Sequence, residues 1–431
     1  MPQGFDFTLQ RRTLLQGFLG AGAVYASPVL WAQSKAPAAA DARLVVLFLR
    51  GAYDGLSALV PHGDANYYRL RSSIAIPKPD GSEQSAIKLD NMFGLHPAMA
   101  ALLPLWQQGV LTALPCAGSP DPTRSHFDAQ HHWEIGVPGK SGSGDGWMNA
   151  LAAQRAAAAA SASGPGKALA VGVGEANPLI LAGSAPVQLV PKGQAATRQG
   201  ALGDARTRDA VMKLYSGQDK LSEAFRAGAE SRMQTAQTLS ADMADTGMAA
   251  QEMQAANNGA GNSKGLLLDA QHLATLMRQD RRLRLGFLSA GGWDTHANQG
   301  GVTGALAQNL GNLAATLVQL RKDFSQPNDM VVVCSEFGRT SAENGTRGTD
   351  HGHGNALWLM GNQVQGGRAH GRWEGLANGN LHEGRDLPVH HDFRAVLAQV
   401  LRHSQGVGTA ELDRLFPGYA WDAQLDGLMR S

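Results

Sequence analysis

The chain has 431 residues, 43% of them hydrophobic, with 37 Lys+Arg against 36 Asp+Glu and a formal net charge of +1. That length supports a large buried core, as one big α/β domain or two ordinary ones. The charge balance excludes a general attraction to nucleic acid or to an anionic membrane, and runs such as RQDRRLRL (278–285) read as a solvated helix face.

Residues 1–33 read as an export signal. Arg11 and Arg12 precede the apolar stretch LLQGFLGAGAVYASPVLWA, a pattern like that of a twin-arginine signal. Gly17, Gly20, Gly22 and Pro28 favour a removable signal over a membrane anchor, and no later segment is long and apolar enough to span a bilayer. The expectation is therefore a periplasmic or secreted protein. The twin-arginine translocation machinery would be a partner, and no stable membrane span would remain after processing.

A linker over 34–42 leads into an α/β domain expected over 43–431. RLVVLFLRGAYDG is a continuous apolar run ended by glycine, as a strand buried on both faces requires. A helix is expected over 95–109, then strand VLTALPCAG, then a helix over 125–136 with Ser125 at its N-cap. DGWMNALAAQRAAAAA reads as a further helix, and ALAVGVG and APVQLVP as short strands. Residues 204–282 change texture and read as a helical insertion or lid, with 241–265 as a loop poor in branched apolar residues. Strand LRLGFLSAGGWDTH, a helix over 303–323 and strand MVVVCSEFG follow. This alternation predicts a doubly wound, mostly parallel sheet. Cys116 and Cys334 both end apolar runs and read as buried free thiols, with a disulfide as the alternative.

Polar clusters fall where the strands end, the place where open α/β sheets collect ligands. Asp54 closes the first strand, Asp294 and His296 follow another, Glu336 a third, and TDHGHGN (349–355) comes soon after. In extended backbone, residues i and i+2 share a side, so Asp294 with His296, and His351 with His353, can converge on one ion. Mixed imidazole and carboxylate donors suit zinc, manganese or iron, whereas a carboxylate-rich site would take magnesium or calcium. The bland alternative for the glycine-flanked histidines is a loop. His62, His96, His131, His132, His370, His390 and His391 read as structural.

Ser125 is the nucleophile candidate, because a hydroxyl at a helix N-terminus faces free N–H groups and the positive end of the dipole. Simple N-capping explains it equally well. Arg50, Arg124 and Arg339 read as contacts for an anionic substrate or as partners of nearby acids. His126 and Asp350 join them as candidates for supporting the site.

LVVLFLRGAYDGLSALVP, RSHFDAQHHWEIG, GGWDTHANQ and SEFGRTSAENGTRGTDHGHGN together resemble the exported bacterial family known as domain of unknown function fifteen-oh-one, over roughly 43–403. That family is similar to the alkaline phosphatase and sulfatase superfamily. The resemblance implies an alkaline-phosphatase-like fold with one or two divalent metals, zinc above all, at the strand ends. It implies Asp54, Asp294, His296, Glu336 and His351 or His353 as metal ligands, and Ser125 as nucleophile. Two departures stand out: the gap between Asp294 and His296 is narrower than usual, and Phe337 sits where a second-metal histidine is expected. The resulting expectation is an exported metal-dependent hydrolase of a phosphate or sulfate ester, with a surface polysaccharide as a larger substrate. The alternative is a non-catalytic, metal-stabilised binding protein of the cell envelope.

Overall fold

Every residue of Leu44–Leu49 is buried, and its side chains divide between two cores. Val45, Leu47 and Leu49 enter one cluster, and Leu44, Val46 and Phe48 the other, as the two-residue period of a strand dictates. A computed structural model of the chain describes residues 42–140, 144–159, 168–197, 204–242 and 260–430. The expected export signal, nearly all of the linker and most of the 241–265 loop lie outside the described residues.

The main sheet has eight strands: β1 (Leu44–Leu49), β2 (Leu111–Gly118), β3 (Ala170–Gly174), β4 (Val187–Pro191), β5 (Leu285–Ala290), β6 (Met330–Cys334), β7 (Asn355–Gly361) and β8 (His391–Asp392). Their spatial order is β8-β2-β7-β6-β1-β5-β3-β4. β1 lies parallel between β5 and β6, with Leu44 opposite Leu285 and Met330. β7 runs antiparallel to both neighbours, β2 and β6. The start of β7 therefore lies at the edge where the parallel strands end. That reversal delivers the DHGHG loop beside the ends of β1, β5 and β6.

Helices cover both faces, giving an α/β fold with a mostly parallel, mixed sheet. Named in chain order, they include α1 (His126–Ile135), α2 (Trp147–Ala159), α3 (Ala205–Leu214), α4 (Lys220–Asp242), α5 (Leu266–Gln279), α6 (Ala305–Asp323) and α7 (Phe393–Gln405). Leu273 of α5 and Leu310 of α6 pack with Val45 and Leu47 on one face. Trp133 of α1, Trp147 of α2 and Phe393 of α7 pack with Val46 and Phe48 on the other.

Three differences from the expected elements have physical causes. The helix expected over 95–109 is a 3-10 turn, Pro97–Leu102, followed by the short helix Leu103–Gln107, because Pro104 lacks the N–H that would continue a helix. Within 204–282, α5 is not peripheral: Leu266, Leu273 and Met277 are buried against the sheet, so α5 is part of the crossover into β5. β7 is a fully buried strand beyond the elements read from the sequence. Cys116 and Cys334 are both buried and free. They sit on β2 and β6, which β7 separates, so two strand spacings of about 4.8 Å each exceed disulfide reach. Among the described residues, no helix is long and apolar enough to cross a membrane.

Candidate metal centre

Three imidazoles meet around one carboxylate at the strand ends. His126 is the first residue of α1, whose N-cap is Ser125, and its side chain is buried. Its Nδ1 lies 2.7 Å from Oε1 of Glu336, just beyond β6. The same oxygen accepts the Gly51 N–H at 2.8 Å and the Gln130 amide at 2.9 Å, while Oε2 accepts the Ser335 hydroxyl at 2.8 Å. A carboxylate ringed by donors only accepts, so Nδ1 of His126 carries the proton. Nε2 then points onward to Oδ2 of Asp294, 3.6 Å away, with no hydrogen-bond partner although buried.

The other two rings are held by the same logic. His296 sets Nδ1 2.8 Å from Oδ1 of Asp350, and that oxygen also accepts the Asn344 amide at 2.9 Å. His351 sets Nδ1 2.9 Å from the carbonyl oxygen of Arg124. Both partners are acceptors, so both rings are Nδ1-protonated when neutral, and both Nε2 atoms present lone pairs. Those atoms lie 3.0 Å apart, and 3.0 and 3.3 Å from Oδ1 of Asp294. Lone pairs facing each other at that distance repel unless a cation sits among them, either a proton or a metal ion.

The donor set fits a metal. Among the described residues, His126, Asp294 and His351 form the group whose donor atoms all lie within 4.8 Å of one another, and His296 adjoins it. Imidazole nitrogens with one carboxylate match the zinc, manganese and iron class better than the all-oxygen preference of magnesium or calcium. Each ring also has a hydrogen-bond acceptor on its far nitrogen, the usual device for orienting a ligating histidine.

The electrostatics follow from these contacts. Burial works against the charge of Asp294, yet His126, His351 and Arg339 hold its carboxyl well below the usual range. Burial likewise opposes the Glu336 charge, and His126 and Gln130 outweigh it, so its pKa is depressed. For His126, burial pulls the pKa down, but the Asp294 and Glu336 carboxylates raise it to about 9.

The remaining candidates fall elsewhere or in supporting places. Asp54 is buried and gives Oδ2 to Arg71, Ser57 and Gln299, forming an ion-paired network rather than joining the imidazoles. His353 is buried with its ring 4.4 Å from that of His382, and burial followed by His382 lowers its pKa to about 4. Glu336 and Asp350 hold histidines through Nδ1. Ser125 caps α1, its Oγ 3.4 Å from the Asp128 N–H, and it is flanked by Arg124 and His126, which both touch the cluster.

None of the three arginines is spare. Arg50 is buried on Glu134 and Glu175, Arg124 pairs with Glu383 and Asp386, and Arg339 binds Asp294 at 2.5 Å besides several carbonyls. Phe337 stacks on the His126 ring at 4.9 Å, so it walls the cluster. Gln130, Asn344 and Arg71 complete the surroundings without having been singled out. Gln130 alone carried a signal, standing one helical turn after His126 and so on the same face of α1.

No curated protein matches this chain. Among solved structures, it is similar to the alkaline phosphatase from the Antarctic bacterium TAB5, at 10% identity and a TM-score of 0.36, covering 85% of this chain and 99% of that one. It is also similar to a sulfatase from Pseudoalteromonas sp., at 10% identity and a TM-score of 0.37, covering 86% of this chain and 68% of that one. Likenesses at that level bear on no residue of the cluster. The family described as "Protein of unknown function (DUF1501)" matches residues 41–416, and the chain belongs to it.

Proposed function

We propose that the protein is an exported, metal-dependent hydrolase of a phosphate or sulfate ester, with His126, Asp294 and His351 holding the metal and His296 as a further donor. The observation that carries the metal is the 3.0 Å approach of the His296 and His351 Nε2 atoms, each ring having its Nδ1 against an acceptor. A bound divalent ion supplies positive charge against the ester's non-bridging oxygens and lowers the pKa of a neighbouring hydroxyl.

The chain's own groups do the rest. Arg339 and Glu336 fix Asp294 and His126 in place. The first turn of α1 directs backbone N–H groups and the positive end of the helix dipole toward an anion. Ser125, at that terminus, attacks phosphorus or sulfur and displaces the ester alcohol. Water then releases phosphate or sulfate from Ser125, regenerating the hydroxyl. The strand-end position of the cluster and this chain's own export-like sequence, Arg11 and Arg12 ahead of an apolar stretch, support this reading, and with it a place in the periplasm or outside the cell.

A second reading is a non-catalytic, metal-stabilised binding protein. Phe337 favours it, since an apolar ring stacked on His126 stands at the sequence position where the family resemblance implies a second-metal histidine. One experiment separates the two readings. Protein purified without chelators is assayed for metal by elemental mass spectrometry and for turnover of aryl phosphate and aryl sulfate, beside Ser125→Ala. About one equivalent of transition metal with Ser125-dependent turnover supports the hydrolase. Metal without turnover supports the binding protein, and absence of metal after loading with zinc and manganese removes both.

A further inference from the structure

Arg50 is fully buried just beyond β1, and its contacts run toward the metal centre as well as away from it. Its Nε and Nη2 face the carboxylate of Glu175 at 2.5 and 3.0 Å, and Nη1 lies 2.9 Å from Glu134. Nη1 also donates to Oε1 of Gln130 at 2.8 Å. A guanidinium only donates, so Gln130 must present its carbonyl oxygen to Arg50. Its amide then faces Glu336, where Nε2 lies 2.9 Å from Oε1. The flipped amide would set N–H against N–H on one side and oxygen against carboxylate on the other.

From these contacts we propose that Arg50 and Gln130 are positioning residues that hold the Glu336 carboxylate against Nδ1 of His126. The inference rests on the metal centre proposed above. The hydrogen bonds run one way: Arg50 fixes the Gln130 amide, Gln130 donates to Glu336, and Glu336, filled with donors, accepts the Nδ1–H of His126. Nε2 is thereby left as the ligating atom. α1 makes the geometry possible, because residues four apart lie on one helix face, so His126 and Gln130 both stand over the same carboxylate. A structural role for Arg50, neutralising Glu134 and Glu175, accounts for two of its contacts and leaves the third unexplained.

The test uses the full-length protein loaded with cobalt(II). Each histidine bound through Nε2 gives one exchangeable, strongly shifted Nδ1–H proton resonance, and the signal lost in His126→Ala assigns that ring. Gln130→Met keeps the side-chain length and removes the amide. It should weaken cobalt affinity about 10- to 100-fold and shift or broaden the His126 signal, leaving the other imidazole signals in place. Unchanged affinity with an unmoved His126 signal overturns the proposal. Should Gln130→Met not fold, Gln130→Glu serves instead: it satisfies Arg50 but turns an acceptor toward Glu336, and the same two readouts decide. Failure of the unaltered protein to take up cobalt removes the metal centre itself, and with it this inference.

Discussion

His351 and His353 stand two residues apart yet face different partners: Nε2 of His351 lies 3.0 Å from Nε2 of His296, while the His353 ring lies 4.4 Å from that of His382. On the metal centre proposed above, the pair therefore separates metal binding from packing. His351→Ala should lose most bound metal, whereas His353→Ala should retain it, both measured by elemental mass spectrometry after loading with zinc. Asp54→Asn belongs with the second class. It breaks a buried pair with Arg71 and should destabilise the fold by about 3–5 kcal/mol while sparing metal content. Metal loss in His353→Ala but not in His351→Ala would reverse the assignment.

Glu336 acts through His126. Glu336→Gln keeps the side-chain volume and an acceptor for the Nδ1–H, but removes the buried negative charge that makes the ring a better ligand. Metal affinity should fall about 10- to 100-fold, with secondary structure retained. Competition with a chelator of known affinity measures the first, and circular dichroism the second. Complete loss of metal at saturating concentration would instead make Glu336 a direct ligand.

The strand-end location of the site was legible because acids and histidines followed runs too apolar to be anything but buried strands. Asp294, His296 and His351 were visible in that way. The division of labour between ligand and support was not. His126 and Glu336 are 210 residues apart, and only the packing of α1 against the end of β6 shows that the carboxylate accepts from the ring. Asp54 looked available until Arg71, folded back from a neighbouring loop, took its carboxylate. The i, i+2 rule brought Asp294 and His296 together but not His351 and His353, since the loop before β7 is not extended throughout. Nor did local pattern show that β7 runs against its neighbours, the feature that delivers His351 to the cluster.

His126 also makes metal-free stability depend on pH. Burial lowers its pKa, and the Asp294 and Glu336 carboxylates more than compensate, raising it from 6.5 to about 9. A group whose pKa is higher when folded contributes its full stabilisation below the unfolded value and loses it as pH rises through the folded one. Chelator-treated protein should therefore lose stability between about pH 6.5 and about pH 9, read as a falling urea midpoint, and His126→Ala should flatten that part of the curve. Metal binding must displace the same proton, so affinity should rise over this window. An identical pH dependence in wild type and His126→Ala would show that the ring is not charged in the metal-free protein.

Glycine in the DHGHG loop is a matter of backbone contact. A Cβ on Gly352 would lie 2.4 Å from the carbonyl carbon of Arg339 and 2.5 Å from its oxygen, closer than real Cβ atoms come to backbone. The Gly352 N–H donates to Gly338, and His351 forms a bridge with Arg339, so the loop is pressed onto the segment that carries the Asp294-binding arginine. Gly352→Ala must push these segments apart, moving His351 away from Asp294. The expected cost is about 1–3 kcal/mol of stability together with a large loss of metal affinity. Gly345→Ala, in the same loop region but with nothing within 4 Å of its Cβ, should change stability by no more than about 0.5 kcal/mol and leave metal binding intact. Thermal unfolding and metal titration of the two variants side by side check this. Equal behaviour of the two would mean that the loop yields without disturbing His351, and that its glycines are not what sets the cluster's geometry.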